Sequence, residues 1–142
     1  MSDEAGVDEG YRLSSPWPLF VAVGLAASEV GVVIGIIPLA VGGLLVFAWS
    51  VAGIVQEAGY VERPWGVLGA LGLVFAVLGA VVVVGQAGTL TLDGLVTLLT
   101  GALGEEPNGI VVRGLSVFAA GAIAFAASRA AAFAEPTDPT AA

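Results

Sequence analysis

Long apolar runs alternate with short polar segments along the chain, and the runs have the length of membrane crossings. From Trp17 to Gln56 only one residue, Glu29, is formally charged. One straight helix of that length would extend over about 60 Å, roughly twice the thickness of a hydrocarbon core. The chain must therefore turn back, and Pro38 marks the place because proline disfavours helix in the residue before it. We predict two crossings, over residues 17–36 and 38–56.

Two more apolar runs follow. Pro64 is well placed at the first turn of a helix, and the uncharged run after it predicts a crossing over residues 65–85. The last run predicts a crossing over residues 110–133. Arg113 lies near its start and Arg129 near its end, where each side chain can extend toward an interface. Since lipid cannot satisfy open backbone groups, all four spans are predicted to be helices.

A shorter segment before the last crossing has a different pattern. Its apolar residues recur at helical spacing, with Asp93 on the other side. The pattern predicts an amphipathic helix over residues 92–103, too short to span, that lies in the interface plane. A re-entrant segment is the alternative.

The predicted fold is therefore an all-α integral membrane bundle of four transmembrane helices, with a short interfacial amphipathic helix before the last. The transmembrane domain covers residues 15–134. An acidic N-terminal tail precedes it at 1–14, and a C-terminal tail follows at 135–142.

Composition supports the membrane interpretation and narrows the function. Of the 142 residues, 58% are hydrophobic and 11% are charged, whereas soluble domains average about 25% charged residues. The chain has no histidine, no cysteine and no lysine. It therefore lacks the usual ligands of metals and haem and the common catalytic bases, so we expect neither a cofactor nor an enzyme. A net charge of −8 makes nucleic acid an unsuitable partner.

Small residues recur along two of the predicted spans. Gly31 and Gly35 form a GxxxG motif in the first span, and Gly72, Ala76 and Ala80 follow at four-residue spacing in the third. Such rows allow helix backbones to approach closely. Packing within the chain is one interpretation, and a homodimer seam at Gly31 and Gly35 is the other.

Glu29 is an acid inside a predicted span, which costs roughly 2.5–3.5 kcal/mol at a helix centre and needs a reason. Arg113 and Ser116 lie at a similar depth on the last span. We predict that Glu29 faces that helix and bonds Arg113 or Ser116. The pair would either fix helix packing or provide a carboxylate that binds a proton or a partner.

The four arginines predict the orientation. With four crossings, Arg12, Arg63 and Arg129 fall on one side and Arg113 on the other. The positive-inside rule then predicts a multi-pass protein of the cell membrane with both termini in the cytoplasm.

Several short motifs stand out in the first half of the chain. They are Ser15-Pro16-Trp17-Pro18-Leu19-Phe20, Ser28-Glu29-Val30-Gly31, Gly42-Gly43-Leu44-Leu45, Ala58-Gly59-Tyr60 and Arg63-Pro64. These motifs resemble a family of small haloarchaeal membrane proteins called "cox cluster" proteins, whose genes lie beside those of haem–copper terminal oxidase subunits. The resemblance is clearest over residues 11–65. It implies an accessory or assembly role with terminal oxidase subunits as partners, and it supplies no catalytic residues.

The stretch Ala27-Ser28-Glu29-Val30-Gly31 in the first predicted crossing carries a second resemblance. It is similar to the stretch around the proton-coupled glutamate of small multidrug-resistance transporters, which also have four crossings, with Ser28 departing from it. The tight turn before Pro38 and the lack of a tryptophan inside the third span count against this match. A structural membrane protein of unrelated role is the remaining alternative.

Overall fold

The computed structural model describes residues 14–104 and 108–136 of the chain. Four of its helices are long and apolar enough to cross a membrane, which confirms the predicted all-α fold with four candidate spans. Glu105, Glu106, the acidic tail up to residue 13 and the C-terminal tail from 137 lie outside the described residues. The helices are α1 (Trp17–Ile34), α2 (Ile37–Glu57), α3 (Trp65–Gln86), α4 (Leu92–Ala102) and α5 (Gly109–Ala134).

A two-residue turn joins α1 to α2, at the place that Pro38 predicts. Gly35 ends α1 with φ 76°, a left-handed conformation that glycine adopts without steric cost. The backbone N–H of Ile36 donates to the Gly31 carbonyl at 2.8 Å, which closes the last turn. The helix therefore ends at Ile34 rather than at the predicted residue 36.

The short helix α4 also forms where its pattern predicts it. Thr91 caps its start, since the Thr91 hydroxyl accepts from the Gly94 N–H at 3.1 Å. Ala102 is buried against the bundle, whereas Leu92 and Val96 are exposed. Only part of the predicted apolar face therefore packs on the protein. Its position in the interface plane, or as a re-entrant segment, stays a prediction.

Helices α1 and α2 pack antiparallel through small residues. A Cβ atom placed on Gly24 would lie 2.7 Å from the Phe47 nitrogen and 2.7 Å from the Gly43 oxygen. Further along, the backbone of Ala40 lies directly against Gly31. Only glycine permits such contacts, and close backbone packing is what holds membrane helices together.

Helices α3 and α5 form a second antiparallel pair of the same kind. A Cβ on Gly72 would lie 2.6 Å from the Phe125 nitrogen, and one on Gly79 would lie 2.6 Å from the Gly114 oxygen. On the other side of the seam, Gly121 lies against the backbone of Ala76. The packing roles predicted for Gly72 and Ala76 are thus confirmed.

Two of the packing predictions need correction. Gly35 is exposed with no atom within 4 Å of its Cβ position, so it ends a helix and does not pack against one. Gly79, seven residues after Gly72, makes a close approach to α5 that was not predicted. Ala80, the third residue predicted for this row, is half-buried. A homodimer seam at Gly31 and Gly35 is wrong, since α2 already covers Gly31.

The two pairs join where α2 packs against α3 and α5. Ala48 and Ala52 of α2 are buried in one cluster with Leu68 of α3 and Ala124 of α5. The Trp49 and Trp65 rings are 5.5 Å apart. We call the end where α1 and α3 begin the tryptophan end, and the opposite end the α4 end.

Candidate functional site

Glu29 and Arg113 form an ion pair between α1 and α5 near the α4 end. The Arg113 Nη2 donates to the Glu29 Oε2 at 2.6 Å, which confirms the predicted pairing of Glu29 with Arg113. The Glu29 and Arg113 side chains are 53% and 50% exposed, so the pair lies on the surface of the bundle and not in its core. A partner molecule can therefore reach both groups.

The depth of the pair follows from the helix bounds. Glu29 lies about 7.5 Å before the end of α1 at Ile34, and Arg113 lies about 6 Å after the start of α5 at Gly109. Both groups are thus within two helical turns of a helix end, Glu29 near the end of α1 and Arg113 near the start of α5. At this depth the charges offset each other's cost in lipid, and the arginine can still extend toward water.

Ser116, the alternative partner of Glu29, has a different role. Its hydroxyl donates to the Val112 carbonyl of the same helix at 2.8 Å, and the residue is fully buried. A serine bonded back to its own helix satisfies its hydroxyl without a second helix. Of the two predicted partners, only Arg113 contacts Glu29.

A cavity of about 690 Å³ opens beside Arg113 at the α4 end. It lies between the α1–α2 turn, the end of α4 and the start of α5. Its walls are mostly apolar. Residues that line it include Val33, Ile34, Ile37, Leu103, Ile110 and Arg113.

A second polar cluster lies at the tryptophan end and was not predicted. Glu135, just after α5, accepts from the Trp65 Nε1 at 2.6 Å and pairs with Arg63. Nearby, the Ser15 hydroxyl donates to the Glu57 Oε2 at 2.6 Å. Sequence analysis placed Glu135 in the C-terminal tail. One signal in the sequence could have revealed this contact. Glu135 follows the fourth predicted span, and Arg63 and Trp65 lie at the start of the third span on the same side of the membrane.

Two ion pairs connect parts of the described chain that lie far apart in sequence. Among residues 14–104 and 108–136, three or more His, Cys, Asp or Glu side chains nowhere come close enough to hold a metal ion. Charge-assisted bonds such as Glu29–Arg113 and Arg63–Glu135 fix geometry and can recognise a polar partner. We therefore take the Glu29–Arg113 pair with its cavity as the candidate site.

Residues 1–134 match the Family of unknown function (DUF7541). The chain belongs to this family. No curated protein and no solved structure matches the chain. The family description assigns no activity.

Proposed function

We propose that the protein is a non-catalytic accessory or assembly factor that packs against a larger complex in the membrane. The observation that carries the proposal is the half-exposed Glu29–Arg113 pair at a depth that lipid surrounds. Lipid tails offer such a pair no hydrogen bond, whereas a neighbouring protein helix can. An ionisable residue inside a spanning helix is by default a candidate for function.

The complex we propose is a haem–copper terminal oxidase of a haloarchaeal cell membrane. The support is the resemblance of the motifs between residues 11 and 65 to the "cox cluster" family. A chain without histidine or cysteine fits a role beside the redox centres and not in them. The acidic, lysine-free composition is also typical of salt-adapted organisms.

We further propose that both termini are cytoplasmic. Arg63 and Arg129 lie at the tryptophan end, whereas Arg113 lies toward the α4 end. The positive-inside rule favours the cytoplasm for the end that has more arginines. The tryptophan end would then face the cytoplasm, and α4 would face outward.

Recovery of the tagged full-length chain from its native membrane in mild detergent tests the proposal. We expect terminal oxidase subunits to be recovered with it, detected by haem absorbance. Arg113→Leu should reduce the recovered haem several-fold, because it removes half of the exposed pair. Arg129→Leu is the matched control, since this second arginine of α5 contacts Phe133 and not Glu29. A chain recovered at native expression level without haem would contradict the proposal.

A further inference from the structure

The first helices of the two antiparallel pairs are copies of one pattern. Pro16-Trp17 begins α1 and Pro64-Trp65 begins α3. The capping prolines have nearly the same backbone angles, φ −78° and ψ −16° against φ −77° and ψ −13°. Gly24 recurs as Gly72 and Gly31 recurs as Gly79, in both cases 48 residues further along the chain.

The second helices of the two pairs, α2 and α5, repeat as well, because Gly43 recurs as Gly121, 78 residues further along the chain. At the seams, a Cβ on Gly24 would lie 2.7 Å from the Phe47 nitrogen, and a Cβ on Gly72 would lie 2.6 Å from the Phe125 nitrogen. At the tryptophan end Ser15 bonds Glu57, and at the corresponding positions Arg63 pairs with Glu135. The residues that correspond are Gly43 with Gly121, Phe47 with Phe125, Ser50 with Ser128 and Glu57 with Glu135.

The chain therefore contains two copies of one helical hairpin. We call residues 15–57 the first hairpin and residues 63–135 the second hairpin. The second has a longer connection, which contains α4. Glu29 has no charged counterpart, because Val77 occupies its position in the second hairpin.

The contact between the two hairpins uses a different surface on each. The first hairpin contributes a face of α2 that includes Ala48 and Ala52. The second contributes a groove between α3 and α5 that includes Leu68 and Ala124. A contact between unlike surfaces is called heterologous. Since each hairpin has both a face and a groove, this contact leaves the groove of the first hairpin and the face of the second hairpin uncovered.

Both unused surfaces are open in this protein. On the first hairpin, Phe20 and Val46 correspond to Leu68 and Ala124, and they are 45% and 40% exposed. They border a cavity of about 540 Å³ together with Trp17 and Trp49, and we call these four residues the open groove.

On the second hairpin, Ala126 and Ala130 correspond to the buried Ala48 and Ala52. Both are exposed, and the neighbouring Ile123 is 48% exposed. We call these three residues the open face. Each open surface thus corresponds to a surface that is covered inside the chain.

We propose that the open face of one copy of this chain docks into the open groove of the next, repeating the contact between the two hairpins. The occupant is a second copy because the chain itself contains the matching face. Copies in one membrane share one orientation, as the two hairpins do, so the contact can form side by side. Such an assembly closes into a ring or extends as a row, and it goes beyond the proposed accessory function.

Cysteine cross-linking of the full chain tests this directly, since the native sequence has no cysteine. We expect oxidised membranes with the double variant Phe20→Cys/Ala130→Cys to give a ladder of dimers and larger species. Each single variant alone should form no covalent dimer, because the proposed contact places unlike surfaces against each other. Ala52→Cys/Leu68→Cys is the matched positive control, because it bridges the equivalent contact within one chain and should change mobility without changing mass.

Three cross-linking results would overturn the proposal. One is a double variant without a ladder when the control bridge closes. Another is a single variant that cross-links to itself, because that requires a contact between like surfaces. The last is a cross-link from Phe20→Cys to a different protein instead. The mass of the unmodified chain in mild detergent tests self-association without any substitution. We expect a protein mass that is a multiple of 14.1 kDa, and the mass of a monomer would contradict self-association.

Discussion

Arg113 donates to Glu29 across two helices, α5 and α1, that otherwise pack only weakly on each other. The two residues are 84 positions apart in the chain. Their bond therefore connects the first hairpin to the second at the α4 end, far from the alanine cluster that joins them elsewhere. Loss of either partner should affect both the stability of the bundle and the arrangement of its two halves.

The two substitutions in this pair should have unequal effects. Arg113→Leu leaves a carboxylate unpaired in the membrane and should lower the free energy of unfolding by about 1–2 kcal/mol, discounted for the exposure of the pair. Glu29→Gln should cost less, because an unpaired arginine near a helix end can extend to water. Unfolding of both variants in detergent micelles measures the difference. Equal effects, or a larger effect of Glu29→Gln, would contradict this interpretation.

The glycine seams should be intolerant of a single methyl group. Gly72→Ala would place Cβ 2.6 Å from the Phe125 nitrogen, so α3 and α5 must separate. We expect a loss of about 1–3 kcal/mol, typical of overpacking, and a lower midpoint of thermal unfolding.

Gly24→Ala should behave like Gly72→Ala, because its surroundings are equivalent. Gly66→Ala is the control: the position has open space, and alanine favours helix by up to about 1 kcal/mol. If Gly66→Ala also lowered the free energy of unfolding, close contact at the seams would not explain the loss of stability in Gly72→Ala and Gly24→Ala.

The Glu135 cluster should hold the tryptophan end together. Glu135→Gln weakens the bonds to Arg63 and Trp65, so we expect a red shift in tryptophan fluorescence as the Trp65 indole becomes more solvated. The loss of stability should be at most about 1 kcal/mol, because Arg63 is largely exposed. Glu57→Gln, which weakens the bond to Ser15, should leave the emission of Trp65 unchanged. Equal spectra for the two variants would contradict the role of Glu135.

Orientation can be measured with introduced cysteines and an impermeant thiol reagent in intact cells. Tyr60 is 83% exposed in the α2–α3 loop, so Tyr60→Cys reports on the tryptophan end. Gly88→Cys reports on the α4 end, where its side chain has open space. We expect labelling of Gly88→Cys and protection of Tyr60→Cys. The reverse result would invert the proposed orientation.

The transporter alternative makes a separate prediction. If Glu29 served proton-coupled transport, proteoliposomes would show a proton flux driven by a lipophilic cation, and Glu29→Gln would abolish it. We expect no such flux from the wild-type protein, since Glu29 is held by Arg113. A coupled flux that disappears in Glu29→Gln would replace the accessory function with a transport function.

The spans were predictable because hydropathy and helix length decide them almost alone. Pro38 located the first turn, although only the structure shows that Gly35 supplies its left-handed residue. The pairing of Glu29 was also predictable, because a charge inside a span has few partners at its own depth. These conclusions needed only the local sequence and the thickness of a membrane.

Helix neighbours were harder to predict, because the spans are apolar on every side and their pattern does not indicate which face is buried. The row that begins at Gly72 located the α3 face, but nothing local showed that Gly121 would meet it. The contact of Trp65 with Glu135 likewise depends on α5 ending beside the start of α3. The hairpin repeat was visible in the sequence as two Pro-Trp pairs, yet its meaning required the matching seams.

Each hairpin crosses the membrane twice and returns to the side where it began. A copy joined behind it therefore inserts in the same sense, with no extra span needed to restore orientation. This parity makes duplication of the unit compatible with the positive-inside rule, since both ends of each hairpin lie on the same side of the membrane. A chain that gained or lost a whole hairpin would keep the sidedness of everything after it, whereas the gain of one helix would reverse it.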